Sequence, residues 1–170
     1  MALNDKQTFR DALGAFPSGV TIVSTTDGEG RHWGFTASSF SSVSMDPPLV
    51  LVCIANTADS HPAFMKARRY AINILSQGQE AIAMHFARKG VDKFGPHEFR
   101  YGSEDEPHPP VLPGSMASLV CTAHDVYAAG DHTVLIGRIE DVELGDATPL
   151  VYYNRGFRNL ELETEAETLS

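Results

Sequence analysis

The chain has 170 residues, 42% apolar and 21% charged, with 22 acids against 13 bases and a formal net charge of −9. This length suits one domain with a core that needs no disulfide or metal staple, and the acid excess argues against nucleic acid and anionic membrane surfaces as partners. No run approaches the roughly 18 apolar residues of a membrane span, and MALNDKQTFRDALGAF lacks the apolar core of a signal peptide, so a cytoplasmic location is expected.

Residues 5–16 predict a helix, because Phe9, Leu13 and Phe16 recur at i, i+4 and i+7 on one face. Pro17, Ser18 and Gly19 end it. Residues 20–26 are rich in β-branched side chains, and Asp27-Gly28-Glu29-Gly30 reads as a turn into a second strand running through Trp33 toward Thr36. A short alternating strand over 41–44 stops at Asp46-Pro47-Pro48, since proline cannot donate to a ladder. The run 49–55 is apolar at consecutive positions, the pattern of a strand covered on both faces. Ser60 stands where it would cap a helix over 61–68 with Pro62 in its first turn. A strand over 70–75 and a helix over 80–87 burying Ile82 and Phe86 follow.

Residues 95–114 hold Pro96, Pro107, Pro109, Pro110, Pro113 and Gly114, the composition of a long irregular excursion of the kind that covers functional sites. Two long strands, 117–127 and 133–144, flank a turn at 128–132, and a further strand, 149–153, leads into Asn154-Arg155-Gly156-Phe157-Arg158. Beyond Leu160 the sequence is acidic, which divides the chain into a body over 1–160 and a solvated tail over 161–170. About seven strands, mostly adjacent in sequence, with a few short helices and no βαβ alternation predict a mainly β, antiparallel barrel.

Familiar catalytic motifs are missing. Gly28, Gly30 and Gly34 fail the dinucleotide spacing because position 33 is Trp, and no helix follows. The seven histidines show no i, i+2 or i, i+4 pair, so no local metal site is expected. Cys53 and Cys121, in apolar strand-like sequence, read as reduced core thiols. What remains is a set of polar clusters, each with an ordinary structural reading beside a ligand-binding one. Thr36-Ala37-Ser38-Ser39 is either a Ser/Thr-rich connection or an amide and hydroxyl wall open to a ligand. Asn56 to His61 is a helix-capping loop or a polar rim. Arg88-Lys89 complements a helix C-terminus or binds phosphate. Gly130-Asp131-His132 is a surface turn or part of a site, and Tyr152, Tyr153, Arg155, Phe157 and Arg158 pack an interface or stack on a ring.

In this order the elements resemble the flavin reductase domain family, the short-chain reductase components of two-component flavin monooxygenases. The resemblance runs over residues 8–160 and is carried by FRDALGAFPSGVTIVST (9–25), GFTASSFSSVSMDPPLVLVCI (34–54), AINIL (71–75), FARKGVDKF (86–94), GDHTVLIGRIEDVE (130–143) and PLVYYNRGFRNL (149–160). It implies an antiparallel FMN-binding split barrel with a few peripheral helices, working as a homodimer with each flavin site near the subunit interface. The implied reaction is reduction of FMN or FAD by NADH or NADPH, the reduced flavin then serving a separate oxygenase. By position, Thr36, Ala37, Ser38 and Ser39 would meet the flavin ring edge and ribityl chain, with Cys53 and Ile54 flanking the ring through their backbone. Asn56, Ser60 and His61 would line the ribityl and phosphate side, Arg88 and Lys89 would hold phosphate, and Phe94 would help close the pocket. His132 would sit on the nicotinamide side, with Tyr153 and Phe157 near it. Hydride transfer between two cofactors needs no protein nucleophile, which accounts for the missing dyad. Two departures from the family pattern stand out: Phe35 and Trp33 are bulky where slimmer residues are expected, and NRGFR alters the basic-Gly-aromatic spacing. The alternatives are a flavin- or haem-binding split barrel without reductase activity, and an oxidase of the pyridoxamine-phosphate type.

Overall fold

In the computed structural model, which describes residues 5–103 and 108–161, the elements run α1 (Lys6–Gly14), β1 (Ser18–Gly19), β2 (Thr21–Thr26), β3 (His32–Ala37), β4 (Ser41–Met45), β5 (Pro48–Ala55), α2 (His61–Phe64), β6 (Arg69–Ile74), α3 (Glu80–Phe86), β7 (Ala117–Ala129), β8 (His132–Leu144), β9 (Leu150–Tyr153) and β10 (Gly156–Asn159). Seven strands form one antiparallel sheet in the order β3-β2-β6-β7-β8-β5-β4, while β1, β9 and β10 form a small second sheet. The large sheet curls without closing. Its edges are β3 and β4, and across the gap a side chain makes the connection: Ser39, just past β3, accepts from the Cys53 amide of β5 at 2.9 Å. This is the split barrel that the order of motifs implied.

Strand alternation decides what fills the barrel. Val23, Phe35, Val50, Val52, Ile54, Tyr70, Ile72, Cys121 and Leu135 point into one core. The opposite face of β2 presents Ile22, joined by Val20 just before the strand, to a second core with Leu75, Ile82, Phe86, Phe94, Phe99, Leu112 and Leu150. β2 is therefore covered on both faces. β5, expected to be, is not: Val50, Val52 and Ile54 are buried while Leu49, Leu51, Cys53 and Ala55 are half-buried. A continuous apolar run has no period to separate the two cases.

The described residues of the excursion over 95–114 help to seal the second core, to which Phe99 and Leu112 contribute. Phe99, Val111 and Leu112 are buried, Arg100 and Val111 exchange backbone hydrogen bonds, and Ser24 donates to the Pro110 carbonyl. The buried Asn73 amide ties this segment down by accepting from the Leu112 amide and the Ser118 hydroxyl and donating to the Ile22 carbonyl. Three local expectations change. α2 is a single turn, and Ser60 before it sits at helical dihedrals with no side-chain capping bond, whereas a capping residue is extended. α1 is capped by Asp5, yet Phe9 and Leu13 on its apolar face and Phe16 just beyond its end are 50%, 61% and 77% exposed. A further hairpin that the sequence did not predict, β9–β10, turns through Asn154 and Arg155, both at positive φ. The acidic tail beyond residue 161 lies outside the described residues. Among the described residues no helix is long and apolar enough to cross a membrane.

Candidate active site

The seam of the split barrel opens a cavity of about 320 Å³. Its walls come from the end of β3 and the following turn (Phe35 to Ser39), from Cys53 and Ala55 of β5, from Ala58 and Asp59, from the end of α3 (Phe86 to Lys89), and from Lys93 and His132. Side chains at Ala37, Ala55 and Ala58 are small, so a flat ligand can approach the strand backbones closely. Thr36 donates its hydroxyl to the Ala83 carbonyl, anchoring α3 so that Arg88 and Lys89 emerge at the cavity rim. Ser38 is exposed, and Ser39 is engaged by β5.

The cavity is locally cationic in an acidic chain: Arg88, Lys89 and Lys93 stand against the single carboxylate of Asp59. Lys93 is half-buried and donates to the Gly34 carbonyl at 3.0 Å; burial pushes its pKa down, with Asp59 opposing. Three cations against one carboxylate make a fitting receptor for phosphate, and the small-walled slot beside them accommodates a flat ring. That pairing matches a flavin nucleotide.

His132 begins β8 after a two-residue turn with Gly130 at φ 65°. Its Nδ1 meets Asp131 Oδ1 at 2.7 Å, and because a carboxylate only accepts, Nδ1 carries the proton and Nε2 is the free ring atom. The hydrogen bond and charge of His132 hold the Asp131 carboxyl below its ordinary range. Two residues expected to face the ligand, Asn56 and His61, brace this hairpin tip. Thr133 donates to Asn56 Oδ1 at 2.8 Å, which leaves its oxygen to accept from His61 Nε2 at 3.0 Å. Asn56 also donates its side chain to the Gly130 carbonyl and its amide to the Asp131 carbonyl.

Of the residues singled out by sequence, the cavity gathers Thr36, Ala37, Ser38, Ser39, Cys53, Arg88, Lys89 and His132. Ile54 turns its side chain into the barrel core between Cys53 and Ala55. Ser60 and Phe94 line an adjoining chamber of about 260 Å³, and Phe94 also packs edge-on to Phe86. Tyr153 and Phe157 lie on the β9–β10 sheet, with Phe157 against Tyr152, and are not part of this cavity's wall. Lys93, Asp59 and Phe86 are wall residues too: Asp59 lies within the polar cluster from Asn56 to His61, Phe86 was expected only as buried helix core, and Lys93 was given no role. The bulky departures have distinct roles: Phe35 packs edge-on to Phe64 while forming cavity wall, and Trp33 donates its indole N–H to Asp27 at 2.8 Å within the hairpin. A larger groove of about 680 Å³ lies beside that hairpin, α2 and Pro109, but holds none of the residues the resemblance marks for ligand contact, and its Arg31 is already paired with Asp27 and Glu29. Among the described residues no group of three metal-ligating side chains converges.

The flavin reductase like domain matches residues 13–161, so the chain belongs to that family. Over 157 residues it is 43% identical to the actinorhodin polyketide dimerase of Streptomyces coelicolor, covering 92% of this chain and 87% of that protein. It is 37% identical to the reductase component of 4-hydroxyphenylacetate 3-monooxygenase from Thermus thermophilus, covering 91% of this chain and 97% of that one. The structure of the NADH:FAD oxidoreductase of Streptomyces globisporus in complex with NAD and FAD fragments superposes with a TM-score of 0.88 at 32% identity, covering 97% of this chain and 98% of that chain. Some relatives are longer: the chain spans 48% of a probable flavin reductase of Rhizobium meliloti.

Proposed function

We propose that this chain reduces FMN or FAD with hydride from NADH or NADPH and hands the reduced flavin to a separate oxygenase. The observation that carries this reading is the seam cavity itself, whose wall combines small side chains, the three cations Arg88, Lys89 and Lys93, and a histidine whose Nδ1 is held by Asp131. The reductase components and NADH:flavin oxidoreductases among its relatives support it. When bound, the flavin supplies the hydride-accepting ring, and the nicotinamide is the donor. The protein's part is to bind and orient. The amides of Thr36 to Ser39 and the exposed Ser38 hydroxyl would meet the ring edge, the backbone at Cys53 and Ile54 would flank it, and Arg88 and Lys89 would neutralise phosphate. His132 would offer Nε2 to the nicotinamide carboxamide, its ring fixed by Asp131 and its turn by Asn56 and by His61 through Thr133.

A homodimer fits the exposed apolar face of α1 and the exposed Met45 and Leu144, at 91% and 78%. Cytoplasmic residence fits two free thiols. We read residues 1–160 as one domain and 161–170 as an acidic tail. The direct test is steady-state oxidation of NADH and NADPH with FMN, FAD or riboflavin added. Flavin-stimulated turnover is the expected result; indifference to all three flavins with either donor overturns the reading.

A further inference from the structure

We propose that Asp59 is a positioning residue for the flavin phosphate: its carboxylate clasps the Gly90 amide and so holds Arg88 and Lys89 in place at the cavity rim. This rests on the reductase reading and deepens it by naming what orients the cationic rim. Asp59 lies between β5 and α2, whereas Gly90 follows α3, 31 residues further on. Its Oδ2 accepts from the Gly90 amide at 2.6 Å, which ties the β5–α2 loop to the loop after α3. Asp59, Arg88 and Lys89 all stand in the wall of the same cavity.

Two adjacent cations serve a phosphate only where their backbone is fixed, since long side chains on a loose loop lose much of their attraction to ordering entropy. On the near side, the Arg88 amide bonds the His85 carbonyl in the last turn of α3, and Thr36 anchors α3 to β3. On the far side the chain turns through Gly90 at φ 67°, and the amide of that residue is the one Asp59 holds. The Arg88-Lys89 pair is thus suspended between two fixed points. Neither side chain forms an ion pair among the described residues, which leaves both charges for a ligand. Further along, Lys93 donates to the Gly34 carbonyl and His85 Nε2 to the Asp92 carbonyl, tying the same loop to β3 and α3.

By charge alone, a carboxylate is the wrong neighbour for a phosphate, and its removal would favour FMN. As an acceptor for a backbone amide, an ionised carboxylate makes a stronger bond than a neutral group, and its removal would disfavour FMN. The two roles of Asp59 therefore predict opposite signs. Wild type, Asp59→Ala and Asp59→Asn would be titrated with FMN and with phosphate-free riboflavin by flavin fluorescence, and the Gly90 amide followed by hydrogen exchange. Asparagine drops the charge but keeps an oxygen acceptor. Asp59→Ala is expected to raise the Kd for FMN about three- to tenfold, to leave that for riboflavin unchanged and to speed exchange at Gly90. Asp59→Asn is expected to bind FMN as tightly as the wild type to within about twofold, or more tightly. Unchanged or tighter FMN binding by Asp59→Ala, equal weakening with FMN and riboflavin, no recovery by asparagine, or Gly90 exchange that Asp59→Ala leaves unmoved overturns the proposal. Flavin that binds in this pattern yet never stimulates NADH oxidation defeats the reductase reading and leaves the clasp standing, whereas a wild type that binds neither flavin removes both.

Discussion

At the scale of single residues, the site works through fixed orientation rather than through a strong acid or base. His132 owes its geometry to a short chain of bonds: Asp131 sets the tautomer, while Asn56, Thr133 and His61 hold the turn. Replacing His132 with Ala should raise the KM for NADH by roughly two- to tenfold, the worth of one hydrogen bond, with flavin affinity little changed. A collapse of flavin affinity with donor KM unmoved would place the histidine on the wrong partner. The residues legible in sequence were those in compact motifs, such as Thr36 to Ser39 and Arg88-Lys89. Lys93 was not, because its significance comes from burial against Gly34 and from Asp59, which is remote in sequence.

At the scale of elements, turn chemistry decided what could be read. The β2–β3 hairpin was legible from Asp27-Gly28-Glu29-Gly30, and Asp27 is its keystone, accepting from the amides of Glu29 and Arg31, from the Arg31 guanidinium and from the Trp33 indole. The indole bond is the largest cause holding this carboxyl well below the carboxylate range, with the other three bonds assisting against desolvation. A carboxyl depressed in the folded state stabilises the fold above its unfolded value and loses that contribution as pH falls toward the folded one. Wild-type Tm should therefore fall more steeply than that of Asp27→Asn as pH is lowered from about 4. Parallel Tm curves for the two proteins would show that the turn draws no stability from the charge. The β9–β10 hairpin escaped sequence reading for the opposite reason, since Asn154 and Arg155 adopt positive φ without a glycine at either position. The two-residue β1 is an edge piece too short to have a period, and α2 stops after one turn.

At the scale of the molecule, the antiparallel barrel was legible because the strands follow one another without βαβ alternation, whereas the strand order was not, since β2 pairs with β6 and β5 with β8 across long stretches of chain. The cavity was not, since β3, β5, α3 and β8 supply its walls from distant parts of the chain and only closure of the seam brings them together. Net charge misleads in the same way: a chain of net −9 concentrates Arg88, Lys89 and Lys93 at one opening. The most direct test of flavin phosphate binding there is steady-state NADH oxidation by the wild type and Arg88→Ala/Lys89→Ala, with FMN and phosphate-free riboflavin as acceptors. The predicted result is flavin-stimulated turnover in both proteins, with the KM for FMN raised roughly tenfold in the double variant and the KM for riboflavin unchanged. NADH oxidation indifferent to added flavin, or equal impairment with FMN and riboflavin, would contradict it.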